Sequence, residues 1–225
     1  LNQGLLVGAA TPAGADGFEG RLDEFAVYDL SGAGDEAGVA ARVASLVNAH
    51  RNAALNPDEP DYTSAVLADQ PVLYWNFEEE EGNAIQRAPV TLPAPNPANN
   101  ELLPQLGATR VAHSEIGSGL TLGNAADLNG VSYFQAVDLD TGLGLVSAPW
   151  AVEFWFQIQG DNSMQREDYL INFGTYPGGD NSPAFIFDYK PDQFEVFGGA
   201  AGRTDNGPTI ADNEWHHLLW VYYGD

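Results

Sequence analysis

The segment from Ala151 to Ile158 alternates strictly between two kinds of side chain. One set of alternate positions is large and apolar: Val152, Phe154, Phe156 and Ile158. The positions between them carry Glu153, Trp155 and Gln157. Successive side chains of a β-strand point to opposite faces, so this pattern predicts a strand with one face in a core and the other towards solvent or a ligand. Such a strand needs a sheet with a second layer over its apolar face.

Further short segments of this kind follow one another along most of the chain. Turns rich in Gly, Asn and Asp separate them, and the sequence contains 25 Gly and 14 Pro with only 18% charged residues. Aromatic residues make up 11%, which is ample for a core. Many short strands joined by such turns are typical of a two-sheet antiparallel sandwich. We therefore expect an all-β fold.

One helix is expected among these strands. The acidic start and apolar spacing of residues 35–55 predict it, and an Asn-Pro pair ends it. Two short strands within residues 1–31 precede the helix, and an acidic, proline-containing linker over 56–61 follows it. From Tyr62 onward the sequence predicts strands.

The charge of the chain excludes several classes of partner. Lys and Arg total 8 and Asp and Glu total 32, so the net charge is −24. Nucleic acid and anionic membrane surfaces repel a chain this acidic. No stretch of the sequence approaches the ~20 consecutive apolar residues of a membrane span. The lack of Cys excludes disulfides, thiolate metal sites and cysteine nucleophiles.

Five segments carry motifs that belong together: Gly17–Tyr28, Val72–Glu79, Ala126–Phe134, Trp150–Phe156 and Trp215–Tyr222. As a set they resemble the laminin-G-like, concanavalin A-like jelly-roll family. In that family a strand of the type V-x-Y-W-x-x-D/E-E, here 72–79, stands near the start. A segment of the type G-F-x-G-x-I/L-D-E-h-x-h-Y (h is any apolar residue), here 17–28, stands at the end. The resemblance covers nearly the whole chain and implies a jelly-roll sandwich.

The order of these motifs differs from the order in the family, because the ending motif precedes the starting motif. We therefore expect residues 1–55 to be the C-terminal strands and helix of a preceding module. Residues 56–61 would be a linker, and 62–225 would be the next module, incomplete at its C-terminus. The N-terminal strands would then pair with a body other than 62–225 of the same chain. The rival arrangement is a circular permutation, in which Leu22–Tyr28 pairs with Val72–Phe77.

Two acidic pairs, Asp23-Glu24 and Glu78-Glu79, are candidate calcium ligands. The resemblance places the last strand of a module beside its first, which would bring the two pairs together within one complete module. The order of the motifs assigns the two pairs to successive modules in this chain. Calcium takes about six to eight oxygen ligands, and clustered carboxylates supply them. The competing interpretation is that these residues are solvated turn residues. Calcium is the one cofactor that the sequence suggests.

No motif indicates catalysis. Neighbouring strand positions face opposite ways, so Glu78 and Glu79 cannot alone form the carboxyl pair of a glycosidase. The E-x-D-x-x-E strand of glucanases on this type of sandwich is absent. His216 and His217 diverge for the same reason and lack a third ligand at zinc spacing. We therefore expect a protein that is not an enzyme.

Exposed aromatic rings are what a sugar-binding sandwich would use, because the apolar face of a pyranose stacks on them. Four candidates lie where strand alternation or a loop rich in Gly and Pro leaves them outside: Trp155, Tyr176, Tyr189 and Tyr223. The alternative is that these rings form a second core layer beneath the long loop over 88–100.

These inferences predict a non-catalytic module of a large extracellular or cell-surface protein, with a glycan or a protein as its ligand. One alternative is a structural repeat of an extracellular filament or array, in which neighbouring modules or copies contact one another. A second alternative is an accessory binding domain of a polysaccharide-degrading enzyme.

Overall fold

The computed structural model describes residues 5–56, 61–89, 101–113, 122–136, 148–159, 168–173, 184–187, 194–197 and 213–224. The strands in these ranges are β1 (Leu5–Val7), β2 (Glu19–Asp29), β3 (Leu73–Trp75), β4 (Leu103–Gln105), β5 (Thr109–Ala112), β6 (Asn124–Asn129), β7 (Tyr133–Ala136), β8 (Trp150–Ile158), β9 (Asp168–Phe173), β10 (Ala184–Phe187), β11 (Phe194–Phe197) and β12 (Trp215–Tyr222). The α-helices are α1 (Glu36–Leu55) and α2 (Tyr62–Ala68).

The strands form two antiparallel sheets. Sheet A has the order β11-β10-β9-β1-β7-β4, and sheet B has the order β12-β8-β2-β6-β5. Strand β3 pairs with the part of β2 that β6 leaves free. The expected all-β, two-sheet antiparallel sandwich is confirmed.

The N-terminal strands lie inside the two sheets of this same chain. Strand β1 lies between β9 and β7 in sheet A, and β2 lies between β8 and β6 in sheet B. Phe25 of β2 pairs with Trp75 of β3. The prediction that these strands pair with a body other than residues 62–225 is therefore wrong, because both edges of each strand find partners within the chain. The division of the chain into parts of two modules of a longer protein stays a prediction.

The main core lies between the sheets and consists mainly of aromatic and branched side chains. Phe25 stacks on Trp75 with ring centroids 5.6 Å apart, and Phe154 meets Phe25 edge-on at 6.4 Å. Phe77 and Phe134 form a further edge-on pair at 5.3 Å. All five side chains are fully buried. The apolar face predicted for the 151–158 strand does point into this core.

Within the described ranges, two α-helices rather than the single helix expected cover the outer face of sheet B. The Asp35 side chain caps α1 by accepting from Gly38 N at 2.9 Å, and the Asp61 side chain caps α2 by accepting from Ser64 N at 2.8 Å. Helix α2 begins at Tyr62, where the sequence predicted strands. Neither described helix is long and apolar enough to cross a membrane.

A second apolar cluster fills the space between these helices and sheet B. The helices contribute Leu46, Tyr62 and Val66, and the sheet contributes Tyr74 and Trp155. The face expected to meet solvent or a ligand is therefore covered by the helices of the same chain.

Candidate functional site

A β-bulge in β2 turns two consecutive carboxylates to the same side of sheet B. The register of β2 against β8 shifts between Asp23 and Ala26, and Glu24 has a left-handed backbone with φ of 53°. A bulge inserts an extra residue and re-aims a side chain. Phe25 still enters the main core, whereas Asp23 and Glu24 both meet side chains of the outer layer.

Asp23 is fully buried and forms a pair with His113. The Nδ1 atom of His113 lies 2.6 Å from Asp23 Oδ2, and the backbone N–H of Glu24 donates to Asp23 Oδ1 at 2.8 Å. The imidazole stacks on Trp215 with centroids 3.6 Å apart, and its Nε2 is buried without a hydrogen-bond partner. Burial lowers the pKa of His113 to about 3. His113 is therefore neutral near neutral pH.

Glu24 is buried between β3 and α2. The hydroxyls of Tyr74 and Thr63 both donate to its carboxylate. Burial raises the pKa of Glu24 to about 8, and burial together with the charge of Glu24 raises the pKa of Asp23. Both carboxyl groups are thus held where their charged forms are disfavoured.

Glu78 brings a third carboxylate to this region. Its side chain lies directly over Gly123, where a Cβ atom would collide with both carboxylate oxygens, and Asn124 N donates to it at 3.3 Å. Burial raises its pKa, and its negative charge also raises the pKa values of Asp23 and Glu24. We call Asp23, Glu24 and Glu78 the acid cluster.

Glu79, the fourth predicted calcium ligand, has different partners. Arg87 donates to it at 2.7 Å, and an Arg110 nitrogen lies 3.8 Å from its other oxygen. In the described ranges, no group of three or more His, Asp and Glu side chains has the arrangement of a metal site.

The aromatic candidates have different environments. Trp155 is only 7% exposed, with Tyr62 packed edge-on at 6.0 Å and His217 at 4.8 Å. Its ring is therefore covered and unable to stack on a sugar in this structure. Tyr223, just after β12, is 48% exposed. Tyr176 and Tyr189 lie outside the described residues.

A second group of buried polar side chains surrounds Glu153 of β8. His50 Nδ1 donates to its carboxylate at 2.7 Å, and His217 Nε2 lies 2.8 Å from Oε1. Tyr62 donates to Oε1 at 2.6 Å and Tyr28 donates to Oε2 at 3.1 Å. We call these five residues the Glu153 hub. It joins α1, α2, β2 and β12 to β8.

Hydrogen bonding decides the ionisation of the hub. Burial alone would raise the pKa of Glu153, but the bonds from His217 and His50 outweigh burial and hold that pKa well below its usual range. Burial alone would lower the pKa of His50, but its contacts with Glu153 outweigh burial and raise it. Burial and the charge of Glu153 raise the pKa values of Tyr28 and Tyr62 well above their usual range.

The sequence analysis singled out neither His50 nor Tyr62, and it did not expect His217 to bind a carboxylate. Glu153 was the one feature of the sequence that pointed to this group. It is an acid between large apolar residues, and its carboxylate needs hydrogen-bond partners if its face of the strand is covered. His50 and Tyr62 are separated from it by 103 and 91 positions, so no local pattern connects them.

Comparisons of this chain with protein-family models, with curated proteins and with solved structures find no match.

Proposed function

We propose that this chain is a non-catalytic extracellular module that binds a carbohydrate or a protein. The observation that carries the proposal is the burial of five acidic and histidine side chains among the described residues. None of them is more than 5% exposed: Asp23, Glu24, His50, His113 and Glu153. A general acid or base must come within hydrogen-bond reach of its substrate. Here these side chains bond to the fold itself, which supports binding rather than catalysis.

The proposed ligand surface includes Tyr223, whose ring is half exposed beside the end of β12. An aromatic ring of this kind offers an apolar plate and a hydroxyl, which suits the apolar face and hydroxyl groups of a sugar. The strongly acidic composition disfavours anionic ligands and leaves neutral glycans and basic or neutral protein surfaces.

Replacing Tyr223 by alanine is expected to weaken glycan binding up to about tenfold, because a ring contact contributes roughly 0.5–1.5 kcal/mol. A glycan array identifies the ligand, and titration calorimetry then compares the two proteins. Val131→Ala is the matched control, since Val131 is 52% exposed and lies in the turn between β6 and β7. Failure to bind any glycan or protein, together with concentration-dependent assembly, would favour the structural-repeat alternative.

Calcium at the acid cluster belongs to the same proposal. Two observations support it: the cluster offers carboxylate oxygens, and no described Lys or Arg side chain donates to Asp23, Glu24 or Glu78. The side chain of Asn76, two positions before Glu78 in the sequence, is also buried, with its carbonyl oxygen unpartnered. Bound calcium would compensate the buried negative charge, and extracellular modules bind calcium with Kd values of about 10⁻⁴–10⁻³ M.

Removing calcium is therefore expected to lower the melting temperature. A ligand at about 100 times its Kd stabilises the folded state by about 2.7 kcal/mol, which corresponds to several degrees for a domain of this size. Calorimetry with added calcium and then with chelator measures the shift. Glu78→Gln should reduce the shift, and Glu80→Gln, an exposed change in the same acidic run, should not. Equal melting temperatures with calcium and with chelator would contradict the calcium site.

A further inference from the structure

We propose that α1 and α2 form a pH-sensitive cover over the outer face of sheet B, which stays fastened only while the His50 imidazole carries two protons. This inference concerns the Glu153 hub and is independent of the ligand and of calcium. It rests on what each ring nitrogen of His50 faces.

Both ring nitrogens of His50 face carboxylate oxygens. Nδ1 lies 2.7 Å from Glu153 Oε2, and Nε2 lies 3.1 Å from Asp69 Oδ2. A neutral imidazole has one N–H donor and one acceptor nitrogen, so it cannot donate to two carboxylates. The imidazolium form has two donors and satisfies both. The geometry therefore requires the charged form of His50, although the side chain is fully buried.

The same contacts join both helices to the sheet. Asp69 follows the last residue of α2 and accepts from Arg42 of α1 at 2.6 Å. A second Arg42 nitrogen donates to the Asp69 carbonyl at 2.8 Å. His50 continues this connection from Asp69 to Glu153 of β8. One imidazolium thus links α1, the end of α2 and sheet B.

Loss of one proton turns an attraction into a repulsion. If Nδ1 keeps its proton for Glu153, the lone pair of Nε2 faces the carboxylate of Asp69. Two acceptors would then lie opposite each other in a site where Asp69 is 14% exposed and His50 is inaccessible. Arg42 would still donate to Oδ1 of Asp69, but Oδ2 would face a lone pair instead of a donor. An unsatisfied, largely buried carboxylate oxygen is unfavourable, and movement of the helices away from the sheet would let water solvate it.

The direction of the pH dependence follows from the sign of the shift. The pKa of His50 is raised by its contacts with Glu153, so its contribution is complete below about pH 6.5, the ordinary histidine value. It is lost as the pH rises through the raised value. The pKa of Glu153 is depressed, so this carboxylate stays charged throughout that range. The cover is closed at pH values below the raised pKa of His50 and opens above it.

Titratable or charged side chains surround His50 on every element packed against it, some of them in the hub and some beside it. They are Arg42 of α1, Tyr62 of α2, Asp69 just after α2, Tyr28 and Glu24 of β2, Tyr74 of β3, Glu153 of β8 and His217 of β12. The tyrosines keep their protons in the relevant range because their pKa values are raised. Glu24, with a pKa of about 8, is a neighbour whose titration could mimic that of His50.

Opening would expose an aromatic surface. Tyr28, Tyr74 and Trp155 lie on the outer face of sheet B, and all three pack in the cluster beneath the helices. The covered Trp155 ring would thereby become accessible.

Hydrogen exchange by mass spectrometry on the full chain tests the cover. The protection of α1 amides is compared with that of β8 amides between about pH 6 and about pH 9, corrected for intrinsic exchange. We expect α1 to lose about tenfold in relative protection per pH unit once His50 deprotonates. His216→Gln, a change of the adjacent histidine outside the hub, should leave this transition unchanged.

The variant Asp69→Asn distinguishes opening caused by deprotonation of His50 from a general loss of stability at high pH. Asn can accept from Arg42 through Oδ1 and donate through Nδ2 to the neutral Nε2 of His50. The variant should therefore stay closed at pH values where the parent chain opens. Glu24→Gln should keep the transition. The proposal is overturned if the parent chain shows no transition, if Asp69→Asn opens with an unchanged midpoint, or if Glu24→Gln abolishes the transition.

Discussion

Replacing Glu153 by alanine is expected to lower the free energy of unfolding by about 3–5 kcal/mol, the usual effect of removing one partner from a buried ion pair. The variant would leave the His50 imidazolium buried without its carboxylate, and the hydroxyls of Tyr28 and Tyr62 would lose their acceptor. Urea denaturation at about pH 6 measures the loss, and the melting temperature should fall by roughly 10 °C.

Two further variants define what the Glu153 measurement means. Glu153→Gln keeps one oxygen acceptor and the packing volume, so its loss should lie between those of the parent and of Glu153→Ala. Glu80→Ala removes an exposed carboxylate and should change the free energy of unfolding by less than about 0.5 kcal/mol. If Glu153→Ala were as mild as Glu80→Ala, Glu153 would not be holding the helices on the sheet.

Side-chain alternation predicted which residues of β8 enter the core, but it did not predict what covers the outer face of sheet B. The apolar positions of β8 are buried as expected, because a period of two assigns each residue to a face. What covers the opposite face depends on contacts between distant residues. Glu153 could be assigned to the outer face from its position in the sequence, but its two histidines and two tyrosines come from four other elements.

The proximity of the residues in the acid cluster could be predicted from the family resemblance rather than from side-chain alternation. Within one complete module, the resemblance places the strand of Asp23 and Glu24 beside the segment that carries Glu78. The order of the motifs assigned the two acidic pairs to successive modules, but the structure has β2 beside β3 in this chain. The sequence did not predict the bulge that turns Asp23 and Glu24 to one side. Its residue with a left-handed backbone is Glu24, whereas glycine is the residue type that usually marks such a position. The divergence of Glu79 towards Arg87 and Arg110 likewise depends on tertiary packing.

Motif order was a poor guide to which strands pair. The resemblance implies that the last strand of a module lies beside its first. The pairing of Phe25 with Trp75 satisfies that relation inside this chain. Helix α1, which the motif order assigned to a preceding module, contacts sheet B of this chain through His50.

Deleting residues 1–31 is expected to prevent the remaining chain from folding. The deletion removes β1 from between β9 and β7 and removes β2 from between β8 and β6, so each sheet loses an interior strand. It also removes the fully buried side chains of Leu22, Phe25 and Val27 from the main core. Loss of a large buried side chain alone costs about 2–5 kcal/mol, and a domain is stable by only about 5–15 kcal/mol.

Circular dichroism and one-dimensional proton spectra of the truncated chain should therefore show no cooperative unfolding transition and no dispersed methyl signals. Adding a synthetic peptide of residues 1–31 should restore both, because the peptide can take the vacant interior positions in the two sheets. A peptide with Phe25→Glu is the matched control and should fail, since it would bury a charge against Trp75. A truncated chain that unfolds cooperatively without any peptide would instead show that residues 62–225 form a body of their own, as the order of the motifs first suggested.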